Sequence, residues 1–219
     1  MKSEDIRKLV ETIVEQILGQ TGLSKTVDSF QVEASGRHVH LSKEDAMTLF
    51  GKSELTQVKE LSQPGQYLCK EKVTLIGPKG VISGVAVLGP CRSKTQVEVS
   101  RTDARALGLR GLIRDSGDLE GAEDIVISAG GKCLEAKGTV IAAKRHIHMR
   151  PEEAKALQVT DKDIVMVKVT GERPLVFDDV LVRVKDSYRL SMHIDYDEAN
   201  AVGLTKDSVG KIIQEKGDR

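Results

Sequence analysis

The chain has 219 residues and no tryptophan; aromatic residues make up 3% of it. So few rings exclude the base-stacking platforms that single-stranded nucleic acids use, and the core has to be aliphatic. Cysteine is also scarce. Cys69, Cys91 and Cys133 are odd in number and far apart, with no C-x-x-C pair. Neither a disulfide framework nor a zinc ribbon follows from that pattern, and a reducing cytosol suits it. An excess of one charge is missing, because Lys plus Arg and Asp plus Glu both number 33. No global field draws the chain to nucleic acid or to anionic lipid. No apolar run is long enough to span a membrane. No G-x-G-x-x-G follows a strand pattern and no P-loop occurs. Nucleic acid and membrane are therefore not expected partners.

Histidine is rare but concentrated. Of five in the chain, two lie in "SGRHVHLS" (35–42) and two in "AKRHIHMR" (143–150), so the spacing R-H-x-H occurs twice. Both stretches belong to a fourfold grammar: a β-like stretch, a polar cap, then a short helical pattern. Its copies are "HVHLSKEDAMTLFG", "QVEVSRTDARALGL", "HIHMRPEEAKALQV" and "MHIDYDEANAVGL". Ser42 with Asp45, Ser100 with Asp103, and Asp195 with Glu198 have capping-box spacing. In the third copy Pro151 takes the first helical position instead. Between the copies lie strand patterns at 72–77, 81–89, 124–130, 138–144, 163–169 and 179–184. Short strands alternating with short helices predict a mainly β protein of two β-barrel domains capped by helices, with an internal repeat.

The register of the repeat points to chemistry. Two residues before the cap positions Ser42, Ser100, Arg150 and Asp195 stand His40, Glu98, His148 and His193. The first and third copies add His38 and His146, and alternate residues of a strand share a face. Each half thus offers three metal ligands: His38, His40 and Glu98, then His146, His148 and His193. Three protein ligands with an open position is the pattern of catalytic rather than structural zinc. Two such ions with five neutral imidazoles and one carboxylate leave a positive site that attracts an anion. Arg92, Ser93, Lys94 and Thr95 lie just ahead of Glu98, and Arg92 offers the planar fork that recognises phosphate.

Residues 1–20 are a separate object. Ile6, Leu9, Val10, Ile13, Val14 and Ile17 are spaced as one apolar helix face, and Ser3 and Gly19 suit its ends. Glu4, Asp5, Glu11 and Glu15 break any secretory h-region. The segment reads as an amphipathic helix, packed on its own domain or docked on a partner, and 21–30 reads as a linker. Residues 31–144 are then the first barrel repeat and 145–219 the second.

Taken with "LSQPGQ" (61–66) and "LGPCRSKTQVEVSRTDAR" (88–105), the motifs "GRHVHLS" and "KRHIHMRPEEA" resemble the phosphate propanoyltransferases, phosphotransacylases of bacterial microcompartments. The resemblance covers roughly residues 31–210. It implies two helix-capped barrels with two zinc ions between them, held by the six ligands above, and a first strand that pairs into the C-terminal barrel. It also implies a phosphate site at Arg92 and a coenzyme A site at Ser35, Lys59, Leu88 and Asn200. Ala86 stands where some relatives carry a basic residue. The implied substrates are acyl-CoA, as propanoyl-CoA or acetyl-CoA, and phosphate. A metal-dependent hydrolase of esters or thioesters would use the same ligands. The resemblance further implies that residues 1–20 target the chain to shell or core proteins, inside the microcompartment lumen within the cytoplasm. A homo-oligomer is expected.

Overall fold

The structure is a computed structural model that describes residues 28–213. The helix expected over 1–20 and most of the expected linker lie outside the described residues. The first half runs β1 (Phe30–Ala34), β2 (His38–His40), α1 (Lys43–Phe50), β3 (Gln57–Glu60), β4 (Tyr67–Ile76), β5 (Val81–Gly89), β6 (Gln96–Glu98), α2 (Arg101–Leu107), β7 (Ile113–Arg114) and β8 (Glu123–Ala129). The second half runs β9 (Lys132–Ala143), β10 (His146–Met149), α3 (Pro151–Leu157), β11 (Ile164–Val169), β12 (Leu175–Val184), β13 (Ser191–Ile194), α4 (Tyr196–Val202) and β14 (Val209–Ile213).

Two closed six-stranded barrels result. The first closes in the order β4-β5-β2-β6-β9-β8 and back to β4, with β3 and β7 attached at its rim. The second closes as β1-β13-β10-β12-β11-β14. Strand for strand, the two rings have the same parallel and antiparallel pairings. β2 lies parallel to β5 and antiparallel to β6, as β10 does to β12 and β13. The expected helix-capped barrels with an internal repeat are what the chain forms.

The boundary between the barrels is not at 144/145. β1 precedes the first barrel in the chain but closes the second, while β9 closes the first and leads straight into β10. Each repeat therefore gives its first strand to the other repeat's barrel. Phe30, expected in the linker, starts β1 and is buried in the second core with Val32; Ala136 and Val140 of β9 are buried in the first. The physical reason is local. Only Ser35–Arg37 join β1 to β2, and only Lys144 and Arg145 join β9 to β10. Each link is too short for a parallel crossover and makes no hairpin, so the chain runs on from one barrel directly into the other.

The two H-x-H strands are buried on both faces. Val39 and Ile147 point into the two aliphatic cores with no exposure, so the histidines on either side point the opposite way. Burying each of these central side chains contributes roughly 1.5–3 kcal/mol, which anchors strands of only three or four residues. Among the described residues, all four short helices start where the sequence grammar places them. Ser42, Ser100 and Asp195 accept the backbone N–H three residues on, and Arg150 precedes Pro151.

Candidate metal centre

The two H-x-H strands face one another across a cleft of about 530 Å³ between the barrels. All six proposed ligands line it, and so does Arg92. His38 stands opposite Glu98 in one ladder, and His146 stands opposite His193 in the other. The repeat thus brings together, in three dimensions, the residues it marks in sequence.

In the first barrel one donor atom each from His38, His40 and Glu98 falls within 4.8 Å of the others. His38 Nδ1 donates to the Gly36 carbonyl at 2.8 Å, which leaves the Nε2 lone pair free. That Nε2 is 3.6 Å from Glu98 Oε2. This is too long for a hydrogen bond, and close to the roughly 3.3 Å that separates two donors on one tetrahedral zinc. The other carboxylate oxygen, Oε1, accepts from Ser116 Oγ at 2.7 Å and from the Gln96 amide. One oxygen is thereby held and the other turned to the histidines. His40 Nδ1 is buried with no partner.

The second barrel repeats the pattern with differences. His146 Nδ1 donates to the Lys144 carbonyl at 2.8 Å, as His38 does to Gly36. The rings of His146, His148 and His193 converge, with centroids 4.7 to 5.4 Å apart. Both ring nitrogens of His148 are buried without partners, a costly state unless a ligand takes one of them. Tyr188 stacks on His148 with centroids 4.3 Å apart. His193 Nε2 lies 3.0 Å from Ser191 Oγ, which accepts from the Gln63 amide at 2.8 Å. Among the described residues, His38, His40 and Glu98 are the one set gathered within 4.8 Å.

Electrostatics prepares these groups to ligate. Burial, reinforced by His38 and Arg92, pushes His40 down to about 3. Burial and the other two imidazoles push His148 down to about 2, and burial and His193 push His146 down to about 4. All three are neutral at pH 7, as metal ligation requires. Burial alone would raise the Glu98 carboxyl, but the interaction with His38 and the hydrogen bond from Ser116 are among the effects that outweigh it and hold it below the usual carboxylate range.

The remaining expected site residues separate. Ser35 and Leu88 line the cleft. Lys59 lies on the exposed rim strand β3, and Asn200 lines a shallow recess beside the cleft that shares Ala34 and Tyr196 with it. The cluster at 92–95 does not act as one. Thr95 Oγ1 donates to Asp45 and accepts from the Ser42 N–H, so it braces the start of α1. Ser93 and Lys94 face an outer groove, and of the four only Arg92 reaches the cleft.

Sequence reasoning missed Arg183, Tyr188, Gln63 and Ser116, which also line the cleft. Arg183 pairs with His148 in register, the position that Leu88 holds beside His40 in the first barrel. Overlaying the two repeats would have marked it. No hydrogen bond or ion pair engages the guanidinium of Arg92 or Arg183 among the described residues. Two unpaired cations beside six metal-type donors suit an anionic substrate.

The family model for phosphate propanoyltransferase matches residues 31–205. A phosphate propanoyltransferase of Sebaldella termitidis is 53% identical over 98% of this chain and 100% of its own. One of Clostridioides difficile is 54% identical over 95% of this chain and 99% of its own, and one of Thermotoga maritima 56% over 84% and 88%. The fold, the anion-seeking cleft and these likenesses define an enzyme of the phosphate acyltransferase class. The chain belongs to the phosphate propanoyltransferase family.

Proposed function

We propose that this enzyme interconverts acyl-CoA plus phosphate with acyl phosphate plus coenzyme A at two zinc ions, using propanoyl-CoA or acetyl-CoA. His38, His40 and Glu98 hold one ion, and His146, His148 and His193 hold the other. The observation that carries the reading is the convergence of all six donors and Arg92 on one cleft. The buried, partnerless nitrogens of His40 and His148 fit such ions. In the reaction the thioester C–S bond breaks as a phosphate oxygen forms the new C–O bond, and the coenzyme leaves as a thiolate that takes up a proton. Zinc, when bound, supplies Lewis-acid polarisation of the thioester carbonyl. Arg92 orients the phosphate with its planar fork, and the closely packed ligands limit water at the reacting carbon. Ser35 and Leu88 receive the thioester end of the coenzyme. Lys59 and Asn200, outside the cleft, receive its outer part, as a long ligand running from cleft to surface requires.

The test measures coenzyme A release from acetyl- and propanoyl-CoA with and without phosphate, together with zinc content. Phosphate-dependent release at about two zinc ions per chain is expected. Release that ignores phosphate would mark a hydrolase instead.

For residues 1–20 the reading is delivery to the microcompartment lumen by docking on shell or core proteins, with assembly as a homo-oligomer. Its support is the apolar stripe of that segment. A fluorescent protein carrying residues 1–20 should collect in shells, and diffuse fluorescence would refute the assignment.

A further inference from the structure

The arginine that opens each R-H-x-H motif stays outside the ligand set. Arg37 precedes His38, and its Nε lies 3.1 Å from Asp103 Oδ2. Arg145 precedes His146, and its guanidinium lies 2.6 Å from Glu198 Oε1. Both carboxylates stand five residues beyond the third ligand of their own barrel, Glu98 or His193, at the third position of the helix that follows it. An ion pair is therefore made at the same place in both barrels, hydrogen-bonded in Arg145–Glu198 but not in Arg37–Asp103, whose Oδ2 is buried without a hydrogen-bond partner among the described residues. It joins the residue beside the first ligand to the helix that continues from the third.

We infer that Arg37 and Arg145 are positioning residues, straps that set the bite of each three-ligand set by tying the H-x-H strand to the helix behind the third ligand. Backbone pairing alone holds this geometry weakly. The β2/β6 and β10/β13 ladders have three residue pairs each, and the first and third ligands form the last pair at one end. Beyond that end the two chains diverge, and the strap spans the gap.

The two straps differ in strength. Arg145 also donates Nε to the Asp178 carbonyl at 2.7 Å and lies over the Phe177 ring. Its acceptor Glu198 is fixed in turn, since Oε2 accepts the Asp195 N–H at 3.0 Å. Arg37 has Asp103 alone and is more exposed, 40% against 29%. The second set, which carries no carboxylate ligand, thus has the stiffer strap.

The inference rests on the metal reading above, and the test separates the two. Zinc affinity is measured on the full chain by competition with a chromophoric chelator, beside the melting temperature of the metal-free protein. Arg145→Gln should weaken one of two zinc ions about tenfold or more, the scale for groups that orient ligands. Arg37→Gln should weaken the other by less. Asp103→Asn should match Arg37→Gln, and the double variant should add nothing further, because both changes break one pair. Melting of the metal-free protein should shift far less than affinity. Unchanged zinc affinity in Arg145→Gln and Arg37→Gln would overturn the straps, as would a loss explained by melting alone. Absence of zinc binding in the wild-type chain would instead overturn the metal reading and the straps with it.

Discussion

His40 and His148 are held neutral by burial, down to about 3 and about 2, against about 6.5 in an unfolded chain. Between those limits the unfolded chain binds more protons than the folded one, so stability rises with pH and is lost as pH falls below about 6.5. Each such histidine contributes a slope of about 1.4 kcal/mol per pH unit within its window. The urea midpoint of metal-free protein should therefore fall steadily from pH 7 to pH 5, and His148→Gln should flatten that slope. Arg92 and Arg183 stand in the same cleft with no side-chain partner among the described residues. Arg92→Ala should raise KM for phosphate at least tenfold while KM for acyl-CoA changes little, and Arg92→Lys should recover part of the loss. Equal changes in both constants would remove Arg92 from the phosphate site. The gathering of the six donors on one cleft was legible in the sequence because alternation and caps are local signals. Gln63 was not, because its place depends on pairing between distant segments, such as Gln63 with Arg189, 126 residues apart; Arg183 is marked only once the two repeats are overlaid.

At the scale of elements, β5 and β12 show how the repeat preserves shape while changing residues. The paired registers of their barrels make Gly84 equivalent to Asp179, and both have positive φ, 72° and 53°. Each sits where the ladder to the neighbouring strand shifts register, so each bends a long strand around its barrel. A β-carbon on Gly84 would meet nothing within 4 Å, which leaves backbone conformation as the cost of adding one. Gly84→Ala should lower unfolding free energy by about 1–2 kcal/mol, read from the urea midpoint, with zinc content unchanged. The strand patterns were visible in the sequence as runs of aliphatic residues, and the helices as caps. The bend at Asp179 was not, since an aspartate within "FDDVLVRV" gives no sign of a left-handed backbone.

For the whole molecule, the exchange of first strands decides which truncations fold. Removing residues 1–27 leaves β1 intact, and both barrels and turnover should survive. Removing residues 1–34 takes β1 from between β13 and β14, breaks the ring and exposes the second core. That shorter chain should lose cooperative melting of the second barrel and zinc held by His146, His148 and His193; full activity would refute this dependence. The barrel count was readable from composition and strand spacing. The partner of β1 came from the family resemblance and not from the strand itself, because five residues of alternating burial pattern suit either barrel. The two links, Ser35–Arg37 and Lys144–Arg145, cross between the barrels side by side with the ligand strands. Two such crossings fasten the halves as two bolts fasten a joint, where a single linker would have acted as a hinge. The cleft is therefore an aperture of fixed width. Whatever enters it meets two H-x-H strands whose spacing both crossings set together, with Tyr188 stacked on His148 at one wall.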